Sequence, residues 1–302
     1  MGERGRAGLA ALVALLALTA AAPVTSFQQG TLAGRAYRLW VPTRPALDRP
    51  VVLALHGCWQ TPEDFAIGTR LNEAAERRGL YVVYPAQTHR ENPYRCWNWF
   101  DPTQQAATGT ETGQVLAIAR RVQLERGVRE SRLIVLGFSA GGWMAVNLAC
   151  AAPESVLGIG TSAGGPYRCA RGPEEAIQCL RAPRPDGGGR GAAALCAGGR
   201  LTGVRASLWH GALDSVVNAA NLNALEAMLG RVLAVTGGAT SAEEDGAVHA
   251  VYRDGRGVPV LETWLVPRMG HAWSGGNGRA THTFPSGPSA TERMLDFLLA
   301  GR

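Results

Sequence analysis

Branched and aromatic residues along this 302-residue chain gather into short, nearly unbroken apolar runs, and between the runs the spacing changes to the three-and-four repeat of helices. The runs at 35–42, 50–57, 80–85, 132–138, 156–164, 204–211 and 258–267 read as strands. Segments 62–79, 112–127, 140–153 and 289–302 read as helices, the first amphipathic and the third ending at Pro153. Strands apolar on both faces and separated by helices predict an α/β fold, with a mostly parallel central sheet covered by helices on both faces.

Two stretches break that rhythm. Residues 86–109, rich in tryptophan, and residues 164–199, with the glycine-rich centre "DGGGRGAAA", are too long for ordinary connections. Both leave the sheet at the carboxyl ends of strands, where open α/β folds bind ligands. No internal repeat, interdomain linker or appended binding module is visible, so one α/β unit over residues 27–302 accounts for the pattern.

The amino terminus has a different logic. Arg4 and Arg6 precede an apolar run from Leu9 to Leu18, and the small residues Ala20, Ala21 and Ala22 follow. That order predicts a secretory signal over residues 1–26, cleaved between Ala22 and Ser26. The run is shorter than the roughly 20 residues that span a bilayer, so no stable membrane insertion is expected. The mature protein is expected outside the cytoplasm, secreted or periplasmic, and monomeric.

Composition changes this picture little. The chain is 46% hydrophobic and 18% charged, ordinary values for a globular protein. It contains no lysine; its 30 basic residues are all arginine, dispersed rather than clustered. The formal charge of +6 falls to +5 once Glu3, Arg4 and Arg6 leave with the signal. Dispersed arginine without a recognisable nucleic-acid-binding motif argues against a nucleic-acid partner. Six cysteines in an exported chain suggest disulfides. With neither C-x-x-C nor H-E-x-x-H present, a metal site has little support.

The chemistry centres on "LIVLGFSAGGW", residues 133–143. Gly137, Ser139 and Gly141 form G-x-S-x-G between a strand and a helix, a turn that exposes a serine hydroxyl above the sheet and needs glycines for close backbone approach. A serine nucleophile needs a base, and His271 in "LVPRMGHAWSGG" follows the last strand, where a loop can return to the serine. His89 and His282 lie in polar loops, His249 in an edge strand, and His210 is tied to its strand. Asp214 in "WHGALDSVV" stands between Ser139 and His271, which gives the order Ser, Asp, His; Asp245 and Asp254 are its rivals. The oxyanion hole is expected from the amide of Ala140 and an amide of the "LHGCWQ" loop, Cys58 or else Trp59. A Cys58–Cys96 bridge would pin that loop to the tryptophan-rich segment, while Cys150, Cys169, Cys179 and Cys196 leave three pairings open. Of the eight tryptophans, Trp59, Trp97 and Trp273 are expected to line an apolar substrate site, and Trp143 to pack.

Taken in order, "LHGCWQTPEDFAIGTRLNEAAE", "RCWNWFDP", "GFSAGGWMA", "HGALDSVV" and "GHAWSGG" resemble the catalytic domain of the polyhydroxybutyrate (PHB) depolymerase family of secreted serine esterases, from about Tyr37 to the closing helix. The resemblance implies an α/β-hydrolase fold and hydrolysis of a polyester or small ester by Ser139, Asp214 and His271 without metal or organic cofactor. A feruloyl or acetylxylan esterase with the same triad is the alternative. A catalytically idle hydrolase fold used for binding is the second.

Overall fold

The computed structural model describes residues 27–183 and 190–301. The expected signal, residues 1–26, and the glycine-rich residues around Asp186 lie outside them. Ten strands of the described residues form one sheet: β1 (Phe27–Leu32), β2 (Arg35–Trp40), β3 (Val52–Leu55), β4 (Val82–Pro85), β5 (Leu133–Phe138), β6 (Val156–Ser162), β7 (Arg205–Gly211), β8 (Thr240–Glu244), β9 (Ala247–Arg253) and β10 (Pro259–Val266). Their spatial order is β1-β2-β4-β3-β5-β6-β7-β10-β9-β8. The six strands from β4 to β10 in that order are mutually parallel, and the two outer strands on each side each pair antiparallel with their inner neighbour.

Side-chain character sorts these positions. Every residue of β3, β5 and β6 is buried, as it must be when helices cover both faces, and these strands form the centre. The edges are polar: β1 (FQQGTL) alternates in exposure, and β8 (TSAEE) is almost wholly exposed. Charged and polar edges discourage pairing with another chain. They also lack an apolar run, which is why the pattern of apolar positions missed both.

The helices are α1 (Pro62–Thr69), α2 (Leu71–Arg78), α3 (Thr110–Arg126), α4 (Ala140–Ala151), α5 (Pro173–Arg181), α6 (Arg190–Leu195), α7 (Ala220–Val232) and α8 (Ala290–Leu299). The single helix expected over 62–79 is two. Arg70 adopts a left-handed conformation (φ 54°) between α1 and α2. The Gly68 carbonyl accepts from Asn277 N–H and the Thr69 carbonyl from the Thr291 hydroxyl, so the acceptors that would continue the helix are spent on tertiary partners. Helix α4 is buried along nearly its whole length between the sheet and the long 164–199 segment. Trp143 on it stacks on Trp99 with ring centroids 4.5 Å apart.

Three disulfides lie among the described residues. Cys58–Cys96 forms as expected, and the open pairings resolve as Cys150–Cys196 and Cys169–Cys179. The second ties the end of α4 to the 164–199 segment, and the third closes a loop within that segment. No described helix is long and apolar enough to cross a membrane.

Candidate active site

Ser139 is the single residue between β5 and α4, and it holds φ 54°, ψ −120°, a conformation rare for any residue with a side chain. The surroundings over-determine it. Its N–H donates to Ser162 O on β6 (2.9 Å), and its carbonyl accepts from Gly142 and Trp143 N–H as α4 begins. A Cβ at Gly137 would collide with the Gly141 carbonyl, and one at Gly141 with the carbonyls of Leu55 and His56. The two flanking glycines thus let the turn close on itself and on the loop after β3. Strain of this kind persists where the fold enforces it and concentrates at functional sites.

His271 arrives on the loop between β10 and a two-residue strand, β11 (Trp273–Ser274), which pairs with β12 (Thr283–Phe284). The Ser162 hydroxyl donates to Ala272 O (3.1 Å) and anchors this loop beside the elbow. Asp214 follows β7, and its loop is bound to the histidine loop: Ala212 N–H donates to Val266 O and Leu213 N–H to Met269 O. Gly211 permits that contact, because a Cβ there would strike the carbonyls of Met269 and Gly270.

Three chain segments thereby meet in one hydrogen-bonded line. His271 Nε2 lies 3.0 Å from Ser139 Oγ, and His271 Nδ1 lies 2.7 Å from Asp214 Oδ2. The other carboxylate oxygen of Asp214 accepts from the amides of Val216 (2.9 Å) and Val217 (2.8 Å). Burial pushes this carboxyl upward, but the bond to His271 and the two amides outweigh it, so Asp214 is held below the usual carboxylate range. An ionised acid on Nδ1–H leaves Nε2 bare and turned toward the serine hydroxyl, the state a base needs. The rivals are engaged elsewhere, Asp245 with Arg293 and Asp254 with Arg256.

The loop after β3 supplies the other half. His56 Nε2 accepts from Gln87 N–H (3.1 Å), so Nδ1 carries the proton and donates to Gly57 O (2.7 Å). Burial lowers this imidazole to about 4, so it is neutral in both bonds. Gly57 N–H donates to Gln60 Oε1, Trp97 Nε1–H donates to His56 O, and the Cys58–Cys96 bridge closes the far side. Trp59 N–H is committed to Tyr94 O (2.7 Å), which removes it as an oxyanion donor. Among the described residues no group takes up the N–H of Cys58 or of Ala140. Two uncommitted amides, one of them next to Ser139 in sequence, are donors available to an oxyanion.

Two expectations for the tryptophans need correction. Trp97 is fully buried with its N–H on His56 O, and Trp273 is buried against Phe65 with its N–H on the Thr291 hydroxyl. Both brace loops of the site from beneath rather than line it. Trp59 is 58% exposed and packs edge-on against Tyr94, also exposed; Leu213 and Val216 are exposed on either side of Asp214. Asn98 serves the scaffold, donating through Nδ2 to buried Glu111 and accepting from Asn92.

One neighbour escaped the pattern of residues. His282, assigned to a polar loop, stands with its ring 6.0 Å from that of His271 and 5.7 Å from Phe138, on a left-handed backbone (φ 53°). Partial burial, then the adjacent His271, lower its affinity for a proton. The parallel pairing of β11 with β12 and the bonds of Thr281 to Asp64 bring it there, and no local signal announces either. No group of three or more described His, Cys, Asp or Glu residues is arranged to hold a metal ion.

A family model described as "Esterase PHB depolymerase" matches residues 35–250. The chain is 30% identical over 237 residues to poly(3-hydroxyalkanoate) depolymerase C of Paucimonas lemoignei, covering 76% of this chain and 56% of that one. It is also 30% identical over 141 residues to feruloyl esterase B of Thermothelomyces thermophilus, covering 46% and 47%. The chain thus spans about half the length of these curated relatives. Among solved structures, acetyl xylan esterase from Aspergillus awamori superposes with a TM-score of 0.69 at 18% identity, over 82% of this chain and 94% of that one, a likeness of fold.

Proposed function

Because the chain belongs to the PHB depolymerase family of esterases, we propose that it is an exported carboxylic ester hydrolase that cleaves polyhydroxyalkanoate or its short oligomers through an acyl-enzyme. The observation that carries this reading is the Ser139–His271–Asp214 line on a strained elbow, with distances of 3.0 and 2.7 Å. In the first half-reaction His271 Nε2 takes the Ser139 proton as Oγ attacks the ester carbonyl. The amides of Cys58 and Ala140 hold the oxyanion, and Asp214 stabilises the imidazolium. His271 then gives the proton to the departing alcohol oxygen. Water repeats the sequence on the acyl-enzyme and frees Ser139.

Exposed apolar side chains in the loop after β3 and its neighbour (Trp59, Tyr94) and on either side of Asp214 (Leu213, Val216) support a substrate with little charge along its length, as a polyester has. The relatives include a feruloyl esterase, so aromatic esters of plant polysaccharide are the competing class. The apolar run of residues 9–18 and the three disulfides support export.

The test is release of soluble hydroxybutyrate from amorphous polyhydroxybutyrate and from its short oligomers, with methyl ferulate and acetylated xylan in parallel and Ser139→Ala as blank. Release from polymer or oligomers that the blank lacks is the expected result. Cleavage of methyl ferulate or acetylxylan alone would transfer the protein to the polysaccharide esterases. Unchanged hydrolysis by Ser139→Ala would overturn the mechanism, and failure of a serine-directed phosphonate to label the protein would favour a binding role.

A further inference from the structure

Arg95 is one residue from the bridge that fixes the loop after β3. With 4.2 Å between the Cα atoms of Cys58 and Cys96, the Cα of Arg95 lies within about 8 Å of that of Cys58, a proposed oxyanion donor. Its backbone is left-handed (φ 53°), and the residue is half-buried in the wall of a cavity of about 290 Å³. Thr61, Gln87, Thr88 and His89 share the wall, and the His89 ring lies 6.5 Å from that of Trp59.

Several polar groups around this cavity are already committed to other partners. Gln87 accepts from Arg35 and donates to Glu111 and Cys96 O; the Thr88 hydroxyl donates to Glu91. The nearby carboxylates are neutralised: Glu63 by Arg38 at 2.5 Å and Glu91 by Arg35 at 2.9 Å. Asp64 is engaged by Gln60 and Thr281. The Arg95 guanidinium has no hydrogen-bond or ion-pair partner among the described residues, and its Nε is buried without an acceptor. A buried donor left unsatisfied is destabilising, more so on a charged group, and such orphans are few in native proteins. A guanidinium held in a concave wall is shaped for a carboxylate, which it can grip by two parallel bonds.

We propose that this cavity, with Arg95 as its cation, is a subsite for the carboxylate end of a short hydroxy-acid ester chain whose scissile carbonyl lies at Ser139. A polyester chain is neutral along its length and carries one carboxylate at its acid end, so the subsite selects chain ends and oligomers over internal stretches of polymer. The identity of the ligand rests on the ester-hydrolase reading, whereas the anion preference does not.

The test is therefore a binding measurement that needs no turnover. Ser139→Ala protein is titrated calorimetrically with the linear 3-hydroxybutyrate trimer as free acid, with its methyl ester, and with inorganic phosphate. The expected result is about tenfold tighter binding of the free acid than of the ester. That preference should vanish on adding Arg95→Gln, survive in part with Arg95→Lys, and weaken with salt. Equal binding of acid and ester, a preference untouched by Arg95→Gln, or phosphate binding as well as the trimer acid would each overturn the proposal. Turnover of p-nitrophenyl butyrate by the parent protein, which needs no carboxylate subsite, reports separately on the esterase reading.

Discussion

Trp59, Trp97 and Trp273 carry the same side chain in loops of the same site, yet only Trp59 faces solvent. Adjacency in sequence places a tryptophan near a site; the direction of its ring depends on which neighbours fill the space, and sequence does not list them. The difference is measurable. Trp97→Ala removes a fully buried ring and should cost about 3–5 kcal/mol in denaturant unfolding. Trp59→Ala should leave stability within about 0.5 kcal/mol, with its effect in KM for the ester. A large stability loss for Trp59→Ala would return that residue to the scaffold. Ser139, Asp214 and His271 were legible because each sits beside a local marker, a glycine-flanked turn or a loop closing a strand. His282 and Arg95 had no such marker. Pairing of two-residue strands and absence of a partner are properties of the assembled molecule.

At the scale of elements, a strand, one serine and a helix make the reactive turn, and its tightness is a property of contacts rather than of propensity. Helix α4 begins so close to β3 that a Cβ at Gly141 would strike two carbonyls of the neighbouring segment. Gly141→Ala should therefore push α4 away from the loop that holds Cys58, with two readouts. Ester hydrolysis should fall about a hundredfold through misplacement of the Ala140 amide, and stability by about 1–3 kcal/mol. A variant of parental activity would mean that the elbow tolerates the displacement. The same scale explains the split of the helix expected over 62–79. Its apolar spacing is continuous, but tertiary donors take the carbonyls of Gly68 and Thr69 and end the helix where periodicity would continue it.

For the whole molecule, two buried imidazoles couple folding to pH. His56 begins the loop proposed to hold the oxyanion, with its proton affinity lowered to about 4, and His210, bonded to Val217 O beside Asp214, is lowered as well; burial is the main cause in both. Below the ordinary histidine value of about 6.5 the unfolded chain takes up protons that the folded one refuses. Stability is then fully present above pH 6.5 and lost as pH falls toward 4, by about 3 kcal/mol for His56 alone. Asp214, held below the usual carboxylate range, acts in the same direction at lower pH. His249, between Glu244 and Glu262, opposes it: these partners outweigh the desolvation that lowers it, and its contribution is present below the unfolded value and lost as pH rises. Denaturant unfolding from pH 7.5 to 4 should show the loss, steeper in His249→Gln; a flat profile would contradict buried neutral imidazoles.

From its sequence alone this chain's α/β class, its central strands, the elbow serine and the Ser, Asp, His order could be read, because burial on both faces and tight turns impose residue types that do not depend on distant partners. The tertiary structure decided the edge strands, the break between α1 and α2, two of the three disulfides, the direction of each tryptophan and the isolation of Arg95. Each of these follows from which side chains and carbonyls compete for the same space or the same proton, a competition that exists only once the chain has closed.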